Sequence, residues 1–317
     1  MGNLYNIVSQ KKAAFGINLE RLVFTALIIA LAGCATEKRI TEPISKEIGQ
    51  AVMVGNLANP QITEASGLAS SRLYPTVLWV INDGGHEPML FAVGIDGMDL
   101  GTFRVEDASN YDWEALASFE LQDTAYLLIA DVGDNWEQRN TCFLYVVEEP
   151  AITKIGLSND TSVNVVWRIR FTYEDGPRDC EAVAVDAAGQ RVILISKRGL
   201  VPVLYELPLQ PTEDDAIAIA QRMTTVPYFT WPTDMDLAPD GRSAVVLTYD
   251  SAYLFFRRQN ESWSNAFEKH PQRLQSPKLR QQEAACFGFY GKSVYVTSEK
   301  VPAPLVRIKL EESDQKP

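Results

Sequence analysis

Five short segments recur along this chain, with starts 48, 67, 54 and 48 residues apart. They are Glu64-Ala65-Ser66-Gly67-Leu68-Ala69, Asp112-Trp113-Glu114-Ala115-Leu116-Ala117, Asp179-Cys180-Glu181-Ala182-Val183-Ala184, Thr233-Asp234-Met235-Asp236-Leu237-Ala238 and Gln281-Gln282-Glu283-Ala284-Ala285-Cys286. After each comes a turn and a short apolar run: Val77–Ile81, Tyr126–Ala130, Val192–Ser196, Ala244–Thr248 and Ser293–Thr297. A second turn and a third run follow: Met89–Val93, Cys142–Val147, Val203–Leu207, Ala252–Arg257 and Leu305–Leu310. The runs are rich in Val, Ile, Leu, Tyr and Trp, have a period near two, and are bounded by Gly, Pro, Asp or Asn. Those are strands and turns. One such unit cannot bury its apolar faces alone, so neighbouring units must stack.

A fourth run appears in the middle units, most plainly Ser162–Tyr173. Four strands in about fifty residues is the period of a propeller blade. The expected fold is therefore all-β, a β-propeller of five four-stranded blades. The fifth unit runs out of chain after its third strand. Ala51–Leu57, ahead of the first unit, is expected to complete that blade, closing the ring and removing exposed edges. The alternative is six blades, with a degenerate blade in the 67-residue unit. Asp214–Met223 suits a helix or a strand.

Composition narrows the chemistry. The net charge is −12, from 41 acidic and 29 basic residues. An acidic surface repels phosphate backbones, so nucleic acid is not an expected partner. His86 and His270 are the only histidines, which excludes a His-rich zinc site. The acids recur in register. The first and third positions of each segment share a face of a strand. They hold Glu64, Asp112, Asp179, Thr233 and Gln281, then Ser66, Glu114, Glu181, Met235 and Glu283. The small residues at positions four and six suit the crowded innermost strand, so the acids are expected to converge on the central channel. Their repulsion calls for protons or a cation. All-oxygen ligands point to calcium, with magnesium or manganese as alternatives. Pairing with Arg72, Arg178 and Arg280 is the competing use for these acids.

A second polar set follows the second strands: Asn82-Asp83-Gly84-Gly85-His86, Asp131-Val132-Gly133-Asp134-Asn135, Ser196-Lys197-Arg198, Thr248-Tyr249-Asp250 and Thr297-Ser298-Glu299. Both sets belong to one rim. Asp83 and Asp131 become candidate ligands at the channel mouth. Lys197, Arg198 and Arg139 are candidates to hold an anionic substrate, or to neutralise the acids. His86 is the candidate general base.

The N-terminus reads as an address. Lys11, Lys12 and Arg21 precede an apolar run, Leu22–Ala32, broken only by Thr25 and short for a bilayer span. Leu31-Ala32-Gly33-Cys34 resembles the bacterial lipoprotein box, which implies cleavage after residue 33 and acylation of Cys34. With Ala35 after that cysteine, the resemblance implies the outer membrane, facing the periplasm, if the cell is Gram-negative. The expected organisation is a leader over 1–33, a lipidated cysteine and flexible tether over 34–49, and one propeller over 50–317. The membrane is then a partner through the lipid. Nothing calls for an oligomer, so a monomer is expected. Cys142, Cys180 and Cys286 allow at most one internal disulfide and read better as small buried hydrophobes.

Several segments resemble a family of secreted bacterial β-propeller lipoproteins with no assigned activity. They are Glu64-Ala65-Ser66-Gly67-Leu68-Ala69, Leu78-Trp79-Val80-Ile81-Asn82-Asp83-Gly84-Gly85, Asp112-Trp113-Glu114-Ala115-Leu116-Ala117, Ile129-Ala130-Asp131-Val132-Gly133-Asp134-Asn135 and Asp179-Cys180-Glu181-Ala182-Val183-Ala184. The likeness spans nearly all of the chain after the leader. More loosely, the chain resembles the calcium-activated nucleotidases (apyrases), five-bladed propellers with acids around a central calcium. Glu64 or Ser66, Glu114, Glu181 and Glu283 match there, while the fourth unit, with Thr233 and Met235, departs. It also resembles the esterase-like phytase propellers. These likenesses imply calcium-dependent hydrolysis of a phosphorylated or ester small molecule. The alternative is a binding or scaffold propeller with a structural cation.

Overall fold

The computed structural model describes residues 47–152, 161–213, 216–276 and 279–311. The leader, Cys34 and the tether up to residue 46 lie outside the described residues.

The described strands form sheets of four, twelve and four strands. The twelve-stranded sheet is three antiparallel four-stranded blades joined by short parallel pairings of their outer strands, so the antiparallel pairings make five blades. The first holds β2 (Ala65–Ser70), β3 (Val77–Asn82), β4 (Met89–Gly94) and β5 (Asp99–Glu106). The second holds β6 (Trp113–Leu121), β7 (Thr124–Asp131), β8 (Cys142–Glu148) and β9 (Thr161–Tyr173). The third holds β10 (Cys180–Asp186), β11 (Arg191–Ser196), β12 (Val203–Pro208) and β13 (Ala218–Thr225). The fourth holds β14 (Pro232–Leu237), β15 (Ser243–Thr248), β16 (Ala252–Phe256) and β17 (Gln272–Leu274). In the fifth, β18 (Gln282–Phe287), β19 (Ser293–Ser298) and β20 (Pro304–Lys309) are completed by β1 (Gln50–Asn56), paired antiparallel to β20. The N-terminal strand thus closes the ring, as its sequence position predicts. The ambiguous stretch before Met223 supplies β13, a strand, because it pairs with both β12 and β9. The short helix α1 (Trp263–Phe267), capped by Ser262, was not expected.

The segments that recur in the sequence form the innermost strands. β2 packs on β6, β6 on β10, β10 on β14, β14 on β18, and β18 on β2. Small residues make this approach possible. A Cβ on Gly67 would lie 2.7 Å from the Leu116 nitrogen of the neighbouring strand. Apolar clusters fill the spaces between blades; one joins Trp79 and Phe103 of the first blade to Leu127 and Tyr145 of the second.

Several acids serve the blade joints rather than the channel. The Asp234 and Asp236 carboxylates accept from the Ala285 and Phe287 amides of the next inner strand, at 2.7 and 2.8 Å. Asp186 accepts from Arg257 and from Trp263 of the fourth unit. Glu149 accepts from the Arg72 amide and the Trp79 indole of the first. Asp234→Ala would leave the buried Ala285 N–H without an acceptor, at a cost of about 2 kcal/mol, while Asp234→Asn keeps an oxygen and loses less. Urea unfolding of the two variants checks this.

Residues 47–49 are not a loose tether. Ile48 bridges to Leu274 of β17, and its amide donates to the Arg273 carbonyl at 3.0 Å. Cys142, Cys180 and Cys286 are all buried free thiols.

Candidate functional site

Each inner strand carries a β-bulge at one position. The register skips between Ala65 and Gly67, Trp113 and Ala115, Cys180 and Ala182, Pro232 and Asp234, and Gln282 and Ala284. The skipped residues are Ser66, Glu114, Glu181, Thr233 and Glu283. A bulge re-aims a side chain at a strand end, and here it makes one column. The fourth unit is therefore shifted by two residues from the sequence alignment. Thr233, not Met235, stands in the column of Glu114, Glu181 and Glu283, and Met235 is buried in the core between blades.

The residue after each second strand supplies the facing column: Asp83, Val132, Lys197, Tyr249 and Glu299. Four of the five amides in this column donate to the residue that opens the segment: Asp83 to the Glu64 carbonyl, Val132 to Asp112, Lys197 to Asp179 and Glu299 to Gln281. The two columns meet in a cavity of about 170 Å³ at the channel mouth. Asp83, Glu114, Glu181, Glu283 and Glu299 line it, with Lys197 as the one cationic lining residue among the described residues. Tyr249, Asn135 and Gln281 line it too. Tyr249 and Glu299 were visible in the rim segments but not singled out as site residues.

The densest point lies at one side. Asp83, Asp112 and Glu114 each offer a carboxylate oxygen, all within 4.8 Å of one another. Two glycines make room for them. A Cβ on Gly84 would lie 2.4 Å from Asp112 Oδ1, and one on Gly133 would lie 2.5 Å from both Asp112 Oδ2 and Glu114 Oε1. Burial raises the Asp112 carboxyl to about 6, with neighbouring Asp83 adding to it. Burial, then Glu181 and Asp83, hold Glu114 well above the usual carboxylate range. Burial also raises Asp83.

Across the cavity, Lys197 Nζ contacts Glu181 Oε1 and donates to the Tyr249 hydroxyl at 2.7 Å. Burial pushes Glu181 up to about 8 against the pull of Lys197. Burial likewise raises Glu283 to about 7, with Glu299 and Asp83 adding to it. Burial opposes the Lys197 charge, but Glu181 more than compensates and the ammonium is held more firmly protonated than usual. Two polar atoms of the bulge column, Glu181 Oε2 and Thr233 Oγ1, are buried without a hydrogen-bond partner among the described residues.

The other sequence candidates sit outside this convergence. Glu64 is 45% exposed along its side chain and lies 3.5 Å from His86 Nε2. Asp179 is fully buried, accepts from the Asp134 amide at 3.0 Å and pairs with Arg198 at 2.6 Å. Asp131 pairs with Arg139 at 2.7 Å and accepts from the Tyr111 and Asp112 amides. Arg139 also donates to the Gly133 carbonyl, bracing the turn beneath Asp112. The six acids read from the sequence thus divide. Glu114, Glu181 and Glu283 line the cavity and Asp112 touches its edge, while Glu64 and Asp179 are engaged elsewhere. The flat-strand rule placed positions one and three on one face, and the bulge breaks that rule.

The His86 ring is held by the backbone carbonyl of Asp83. Nδ1 lies 3.0 Å from the Asp83 carbonyl oxygen, which can only accept, so Nδ1 carries the proton. Nε2 faces Thr63 Oγ1 at 3.1 Å.

No family model matches the chain, and the comparison with curated proteins finds no match. Among solved structures, the chain is similar to the WD40 domain of Neurospora crassa Pan2. Identity is 11%, over 83% of this chain and 96% of that one, with a TM-score of 0.43.

Proposed function

We propose that this protein is a lipid-anchored propeller of the cell envelope, tethered through Cys34, whose channel mouth binds a divalent cation and presents it to a ligand. One observation carries the cation: three carboxylate oxygens from Asp83, Asp112 and Glu114 converge within 4.8 Å over two glycines that leave no room for a side chain. The donor set fits a hard cation, since it is all oxygen, without His or Cys. The buried, unpartnered Glu181 Oε2 supports the same reading. Calcium suits the irregular, carboxylate-rich arrangement best, with magnesium or manganese next.

Asp83, Asp112 and Glu114 hold the cation, and Arg139 fixes the Gly133 turn that shapes their cradle. When bound, the cation supplies positive charge that polarises a ligand oxygen. Lys197 keeps Glu181 in place and faces the same cavity.

Hydrolysis is the second reading. The observation favouring it is His86, whose Nδ1–H bond to the Asp83 carbonyl leaves Nε2 as the proton-accepting nitrogen, engaged at rest by the Thr63 hydroxyl. Against it, the rim cations offered for an anionic substrate are already committed: Lys197 to Glu181, Arg139 to Asp131 and Arg198 to Asp179.

Thermal melting tests the cation. Calcium at about a hundred times its Kd adds about 2.7 kcal/mol, which raises Tm by on the order of 5 °C relative to EDTA. Asp112→Asn and Glu114→Gln should abolish the difference. Equal melting of the wild type in calcium, magnesium, manganese and EDTA would overturn the proposal.

A further inference from the structure

The rim around this cavity carries exposed aromatic rings. Tyr111 is 70% exposed, Trp136 83% and Trp231 46%. Each is linked to the site. Tyr111 precedes Asp112, and Trp136 follows the cavity residue Asn135. Trp231 stacks under Arg198, whose guanidinium also bonds Asn135. Trp231 has a φ of +58°, a left-handed conformation costly for so bulky a residue, yet the ring is left half in water. Three large aromatics at one mouth, unused by the core, mark a contact surface.

A second cavity of about 380 Å³ adjoins the first. Leu200, Val201, Tyr228, Phe229 and Tyr253 line it. A single turn divides the two: Tyr249 faces the channel cavity, while Thr248 and Asp250 face the aromatic one. An elongated ligand can therefore reach from the channel mouth across Tyr249 into the groove.

Charge selects among such ligands. Among the described residues, five acids line the channel cavity against one lysine, and that lysine is paired with Glu181. The three carboxylates that hold the cation, once ionised, outnumber its two charges, so the loaded site offers a phosphate or carboxylate group no net attraction. The site needs an uncharged ligand rich in hydroxyl donors, with oxygen pairs to chelate a cation and flat C–H faces to lie on Trp and Tyr.

We propose that the ligand is an uncharged oligosaccharide, which chelates the cation through vicinal hydroxyls at Asp83, Asp112 and Glu114 and stacks along Trp136 and the aromatic groove. This rests on the cation site proposed above.

The test is binding of the purified full chain to an immobilised panel of uncharged, acidic and amine-bearing oligosaccharides, in calcium and in EDTA. The wild type is expected to bind uncharged members in calcium and to lose them in EDTA. Trp136→Ala, at an exposed position that spares the core, should weaken binding about tenfold. Calorimetric calcium titration is run in parallel. Calcium binding without retention of any uncharged glycan overturns this proposal and leaves the cation site standing. Absence of calcium binding overturns both. Retention confined to acidic or amine-bearing members, or unaffected by Trp136→Ala, overturns the uncharged, Trp136-stacked ligand and leaves the cation site standing.

Discussion

Gly133→Ala should give a folded propeller that binds divalent cations about a hundredfold more weakly than the wild type, a loss at the upper end of what disturbing the support of metal ligands costs. The added methyl would stand 2.5 Å from Asp112 Cγ, Asp112 Oδ2 and Glu114 Oε1. No real Cβ tolerates that distance, so both carboxylates must swing away. They are ends of side chains, so the backbone need not break, and the damage stays at the cation. Gly85→Ala is the control. Gly85 has a φ of +80°, and among the described residues no atom lies within 4 Å of its added Cβ. Alanine there costs about 1 kcal/mol of backbone strain and leaves cation affinity unchanged. Calorimetric titration of both variants, beside their urea midpoints, separates the two effects. Full affinity in Gly133→Ala would remove Asp112 and Glu114 from the site.

The second large effect is in pH. Burial holds Glu114 high and raises Asp112 to about 6, Glu283 to about 7 and Glu181 to about 8. In the unfolded chain these carboxyls ionise near 4. Between about pH 4 and 8 the folded state therefore binds more protons than the unfolded one. Stability in EDTA must then fall as pH rises through that window. Calcium competes for the same oxygens and needs them ionised, so its affinity rises with pH. Saturating calcium should flatten the fall or reverse it. Urea unfolding from pH 5 to 8, with calcium and with EDTA, reads both slopes. A stability in EDTA that is level or rising across this range would contradict the burial of these acids.

Much of the fold was legible because strand period, turn residues and repeat spacing all derive from one supersecondary unit. The closing strand at Gln50–Asn56 could be expected because the fifth unit lacked an outer strand. What stayed hidden was local irregularity. Trp231 and Gln281 both take left-handed conformations just before their strands, and a bulge follows two residues later. Side-chain chemistry alone aligned Thr233 with Gln281. Counting back from the hairpin glycines Gly241 and Gly291 aligns it with Glu283 instead, and that signal lay in the sequence. Asp234 and Asp236 looked like misplaced site acids. Their partners are the Ala285 and Phe287 amides of a strand fifty residues away, which no local pattern encodes. The commitments of Lys197, Arg139 and Arg198 were likewise invisible, because their acids lie in other strands or across a turn.

The cation is the centre of this account, and calorimetric titration of calcium into metal-free protein tests it most directly. One saturable site is predicted for the wild type, with its heat lost in Asp112→Asn and in Glu114→Gln. Absence of heat from the wild type at millimolar calcium, magnesium and manganese, or a heat that survives both substitutions, would contradict it.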